Sequence, residues 1–236
     1  AVDLGLLFFF KYLNFFVENI CAVTGFKAPT IDVALPLGIS FYTFQIMSYI
    51  IDVYRKKYPA GRNLIEVAAY ISMFPQLIAG PIVTFDEVQP RLRERKISPA
   101  NIENGLLLFV VGLVYKVMLA NQIAALWNDV MVSGVMGINT ATAWLGAWGY
   151  SMQIYFDFLG YSLMAIGMGY LLGFRFPKNF SNPYCAVSVT DFWRRWHITL
   201  GRWFREYVYI PLGGNKKGQF RLVINTFIVS VSYTHL

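Results

Sequence analysis

Cysteine, histidine and charge are all scarce in this 236-residue chain. Two cysteines, Cys21 and Cys185, are too few for a disulfide framework. With only two histidines, His197 and His235, there is no Cys/His spacing of the kind that holds a metal. Glycine-rich phosphate loops, a dinucleotide fingerprint and a serine nucleophile elbow are missing too. Charged residues make up 14% of the chain, against about 25% in soluble domains, which excludes an ordinary soluble domain. Acidic residues are the scarcer sign, 13 against 20 Lys and Arg, for a net charge of +7. The basic residues are scattered among apolar segments, so nucleic acid is a poor partner. Their excess belongs to membrane topology and anionic lipid. No internal repeat is visible, although a transporter with no chemistry would show one. Nor is there a start Met or a signal peptide: Ala1 opens almost directly into LGLLFFF, so the chain reads as cut at its N-terminus.

Hydrophobic residues make up 56% of the chain and the mean hydropathy is +0.48. The expected fold is all-α, a polytopic integral membrane protein. A hydrocarbon core asks for ~20 apolar residues per helix. Leu4–Val23 meets this, with Lys11 and Glu18 seven apart and able to share a face. Val33–Val53 is a second span, ending at Arg55-Lys56-Lys57. Leu64–Val83 is broken by Pro75 and Gly80-Pro81 and lies between two basic loops, the second being Arg91–Lys96. A full crossing would put those loops on opposite sides, so a re-entrant segment is expected, with FPQLIAGP as a cavity wall. Asn104–Trp127 is a further span and contains Lys116. Asn128–Thr140 has no Lys or Arg, which suits the outer side. Ala141–Phe174 would reach roughly 50 Å as one helix, and Asp157 with Gly160 is expected to mark a break within it. Arg175 and Lys178, then Lys216, Lys217 and Arg221, return the chain to the basic side. All basic clusters can thus face the cytoplasm.

Thr190–Asn215, TDFWRRWHITLGRWFREYVYIPLGGN, carries three Trp, four Arg and one His. Its spacing predicts one long amphipathic helix. At 100° per residue, Trp193, Trp196, His197, Leu200, Trp203 and Phe204 share a face, and Asp191, Arg194, Arg195, Arg202 and Arg205 lie opposite. Such a helix suits the membrane interface. His197 is either a packed imidazole or a general base, since its unperturbed pKa lies near neutrality. The guanidinium groups suit the phosphates of a CoA-type donor or of lipid equally well. Asn182-Pro-Tyr184 reads as a turn, with Ser188 or Thr190 as helix cap, and Pro211–Asn215 as a turn after the helix. Asp157 and Lys116 are ionisable residues in apolar surroundings, a costly and often functional placement.

FWRRWHITLGRWFREYVYIPLGGN resembles the signature of the membrane-bound O-acyltransferase (MBOAT) family, in its bacterial alginate O-acetyltransferase branch. SFYTFQIMSYIIDVYR (Ser40–Arg55), FPQLIAGPIV (Phe74–Val83), YFDFLGYSLMAIG (Tyr155–Gly167) and NPY (Asn182–Tyr184) support the resemblance in the expected order. It implies a multi-pass protein of the bacterial inner membrane that moves acetyl groups for O-acetylation of an exopolysaccharide such as alginate. It further implies acetyl-CoA as donor, no bound cofactor beyond it, no metal, and periplasmic acetyl-transfer proteins as partners. His197 corresponds to a catalytic position, the second catalytic histidine being expected on a later membrane helix beyond Leu236. Asn182, Trp193, Arg194 and Arg195 are the candidate substrate-binding residues. Relatives carry a small polar residue and an acid where this chain has Leu159 and Leu163. Residues 1–230 read as a partial MBOAT membrane domain lacking both ends, and 231–236 (VSYTHL) as a non-native tail resembling the translation of a sequencing-library transposon end. A branch moving D-alanine toward teichoic acids is the nearest rival within the family.

Overall fold

In the computed structural model, residues 2–26, 34, 36, 38–77, 80–132, 134 and 137–235 are described, and their regular structure is helical throughout. The apolar runs produce this directly, because only helices satisfy every backbone group within one segment in hydrocarbon. Among the described residues, three stretches are long and apolar enough to cross a membrane: Gly5–Thr24, Pro99–Val132 and Thr140–Leu171. The chain divides into two units, one of Ala1–Ile78, Thr84–Glu87 and Phe204–Leu236, the other of Ala79–Val83 and Val88–Trp203.

In the first unit, α1 (Val2–Leu7) runs through a π-helical turn (Phe8–Tyr12) into α2 (Leu13–Thr24), which Gly25 ends at φ 73. Lys11 lies in the π turn and donates to Ser40 Oγ (3.5 Å) on α3 (Ile39–Tyr54). Of the second expected span, residues 33, 35 and 37 lie outside the described residues. At the end of α3, buried Asp52 accepts from Tyr207 Oη (2.8 Å) and Lys57 Nζ (3.2 Å). The expected interruption of Leu64–Val83 is present. Helix α4 (Leu64–Ile71) stops before Pro75, and α5 (Phe74–Leu77) is a single turn. The segment Arg91–Lys96, read as a loop, is corrected in part. Arg91–Arg93, which fall in the second unit, form the last turn of α6 (Phe85–Arg93), which starts with Thr84 N–H donating to Glu87 Oε2 (3.1 Å). That is half of a capping box, and the acidic first turn and basic last turn suit the helix dipole.

In the second unit, Ser98 caps α7 (Pro99–Val114), which continues through a π turn (Tyr115–Ala120) into α8 (Asn121–Val132). Helix α9 (Thr140–Leu171), capped by Asn139, packs antiparallel to α7. Two glycine pairs let the backbones touch. A Cβ on Gly112 would lie 2.6 Å from the Gly160 carbonyl oxygen, and one on Gly167 would lie 2.6 Å from that of Gly105. The expected break at Asp157 and Gly160 does not occur, and α9 is one unbroken helix. Lys116 Nζ pairs with Asp157 Oδ1, which removes the penalty that would have favoured a break. Gly160 is a point of close helix approach. Helix α12 (Gln219–His235) belongs to the first unit.

Candidate active site

The segment read as one long helix is two. Helix α10 (Val189–Arg195) begins at Ser188, whose side chain accepts from Asp191 N–H (3.1 Å). Asp191 in turn holds Arg195 Nε at 3.0 Å. The helix stops at Trp196, which is extended, and His197 sits at φ 43 before α11 (Ile198–Phe204) begins. A left-handed L-residue costs about 1–2 kcal/mol, so something must hold it. The neighbouring segment 179–181 does. Ser181 N–H donates to Arg195 O (3.0 Å) and Ile198 N–H to Asn179 O (2.9 Å). Asn179 Oδ1 accepts from Thr199 Oγ1 (3.0 Å). These bonds satisfy backbone groups that an unbroken helix would have paired internally.

The break resets the helical phase, which corrects the expected shared face. Trp193 is 50% exposed while His197 is 5% exposed. His197 nonetheless packs among aromatics, edge-on to Phe158 (ring centroids 4.6 Å) and parallel to Phe180 (6.5 Å). Burial lowers its pKa from 6.5 to about 4, because the charged form loses its hydration. The imidazole is therefore neutral at pH 7. Tyr155 of α9 contacts Phe180, Tyr184 and Trp196, and Tyr184 donates to Ser151 O (2.9 Å). The signature segment, YFDFLGYS and NPY thus meet around the His197 corner. The end of FPQLIAGPIV reaches it too: Ile82 N–H donates to Thr199 Oγ1 (3.0 Å), two residues past the histidine.

Beside this corner lies a cavity of about 320 Å³. Leu159, Ser162 and Leu163 of α9 form one wall, and Lys178–Asn182 form part of another. Phe180 is shared, lining the cavity and stacking on His197. Of the candidate binding residues, Asn182 lines the cavity, left-handed at φ 47. Trp193 and Arg194 are exposed, and Arg195 is held by Asp191. None of these three lines the cavity, and neither do the described residues of FPQLIAGP. Sequence reasoning missed Asn179, Thr199 and Ser162. Asn179 and Thr199 partner each other 20 residues apart, Ser162 stands alone among apolar residues of α9, and only the run of turn formers around Asn179 and Asn182 hinted at them.

A helical membrane protein with a buried neutral histidine at a strained corner, next to a cavity, is the class that fold and site define. The model of the membrane-bound O-acyltransferase family, MBOAT, matches residues 59–235. The chain belongs to that family. It is 47% identical over 232 residues to a Pseudomonas putida protein named probable alginate O-acetylase AlgI, covering 97% of this chain and 47% of that protein. It is 37% identical over 254 residues to the Helicobacter pylori peptidoglycan O-acetyltransferase, covering 96% and 48%. To the Bacillus subtilis teichoic acid D-alanyltransferase it is 31% identical over 183 residues, covering 74% and 45%. The chain spans about half the length of these relatives.

Proposed function

We propose that the protein is an O-acyltransferase moving acetyl groups from a cytoplasmic donor, acetyl-CoA, for O-acetylation of an exopolysaccharide such as alginate. In this reading it is a multi-pass protein of a bacterial inner membrane, and periplasmic proteins finish the transfer. Family membership supports acyl transfer. The 47% identity to a probable alginate O-acetylase, against 31% to a D-alanyltransferase, favours acetyl over D-alanyl.

The observation that carries the catalytic reading is His197, a buried imidazole held left-handed where the signature segment, α9 and the Pro183 turn converge. Acyl transfer from a thioester needs the acceptor hydroxyl deprotonated as it attacks, and the oxyanion stabilised. A neutral imidazole in an aromatic pocket can accept a hydrogen bond or a proton from that hydroxyl. Its lowered pKa keeps the ring unprotonated at neutral pH, and a proton taken from the hydroxyl has the thiolate released from the broken thioester as its acceptor. Arg194, exposed beside Trp193, is placed to meet a donor phosphate, and exposed Asn182 to meet substrate.

His197→Ala in the full-length protein tests this. Polysaccharide acetylation should fall 10²–10⁴-fold, the usual loss of about that size for a missing base, at unchanged protein level. Normal acetylation by a normally expressed variant would reduce His197 to packing.

A further inference from the structure

The cavity beside His197 contains two buried polar groups with no protein partner among the described residues: Ser162 Oγ and Asn179 Nδ2. Both residues are 1% exposed. Asn179 uses its other amide atom, Oδ1, to hold Thr199, so its N–H donors are left for the cavity. Leu108, Leu159, Leu163, Ile166, Phe176 and Phe180 supply the apolar part of the wall, with Tyr170 and Ser181 beside them. Lys178 and Asn182 lie exposed at the cavity's edge.

We propose that this cavity is a phospholipid site. One acyl chain lies against the leucines and phenylalanines, its ester carbonyl accepts from Asn179 Nδ2 and Ser162 Oγ, and the phosphate faces Lys178. Three observations lead there. One wall is α9, joined by Leu108 of α7, and both helices lie within stretches fit to cross a membrane, so the medium around that wall is lipid. Buried N–H and O–H donors in hydrocarbon require an acceptor, and a purely apolar occupant would leave both unsatisfied. The order apolar wall, buried donors, exposed cation matches the order chain, ester, phosphate along a phospholipid. At about 320 Å³ the site is at the small end of ligand cavities, room for the upper part of one chain and not for a whole lipid. The inference does not depend on the acyl-transfer reading.

The test uses the full-length protein in nanodiscs of phosphatidylethanolamine and phosphatidylglycerol, with phosphatidylglycerol carrying a photoreactive group near its ester. Crosslinks should map to 159–170 and 176–182. Ser162→Ala should cut their yield roughly tenfold by removing one buried hydrogen bond. Leu163→Trp, which fills the cavity without touching the Asn179–Thr199 bond, should cut it at least as far while the melting temperature stays close to wild type. Lys178→Glu should lower the yield further at low salt than at high salt. Unchanged yield in a folded Leu163→Trp variant would overturn the proposal. So would displacement of the lipid by a non-hydrolysable acetyl-CoA analogue, which would give the cavity to the acyl donor instead.

Discussion

His197 combines two unfavourable features, a left-handed backbone and a buried titratable ring. Asparagine tolerates the left-handed region and β-branched residues do not. His197→Asn should therefore keep the fold, while His197→Val should cost about 1–3 kcal/mol more, read from thermal unfolding in detergent. Burial sets a pH dependence as well. The folded pKa of about 4 lies below the unfolded 6.5. Between those values the unfolded chain binds a proton that the folded chain refuses, so stability falls as pH drops through that window. Nothing is lost above pH 6.5, and the loss of stability reaches roughly 3 kcal/mol by pH 4. His197→Gln should flatten the melting temperature against pH in that range, and an unchanged slope would place the titration elsewhere.

Among the elements, α7 and α9 depend on glycine. A side chain at Gly112 meets backbone at Gly160 and Met164, and backbone cannot swing aside as a flexible side chain can. Gly112→Leu should separate the helices and lower the yield of protein that stays monodisperse in detergent, whereas Gly5→Leu, with nothing nearby, should not. The Lys116–Asp157 pair joins the π turn to α9, with Lys116 also over the Tyr161 ring at 4.9 Å. Asp157→Leu alone leaves a lone cation at membrane depth, worth about 2.5–3.5 kcal/mol. The Lys116→Leu, Asp157→Leu double variant should recover most of that loss. Additive losses in the cycle would mean that the two side chains do not support each other.

At the scale of the whole molecule, the distribution of charge sets a topology. We expect every basic cluster from Arg55 to Arg221 on the cytoplasmic side, because the connection between α8 and α9 carries no Lys or Arg. In a full-length protein with Cys21 and Cys185 replaced by serine, a membrane-impermeant thiol reagent applied from outside should label Gly134→Cys and spare Lys217→Cys. The opposite pattern would invert the topology.

The sequence by itself determined the helical membrane class, the stop before Pro75, a helix cap at Ser188 or Thr190, and the family through its aromatic signature. Composition and caps act over a few neighbouring residues, so they can be read locally. Tertiary structure decided the rest. The corner at Trp196–His197 exists because residues 179–181 pair with its backbone, and helical periodicity, which assumes an unbroken phase, has no sight of such a partner. Helix α9 stays whole because Lys116, far earlier in the chain, neutralises Asp157, and because Gly160 meets Gly112. Ser162 and Asn179 become a site only when α9 and the segment after it enclose one cavity. Each of these depends on free energy shared between distant segments, a quantity that no local pattern carries.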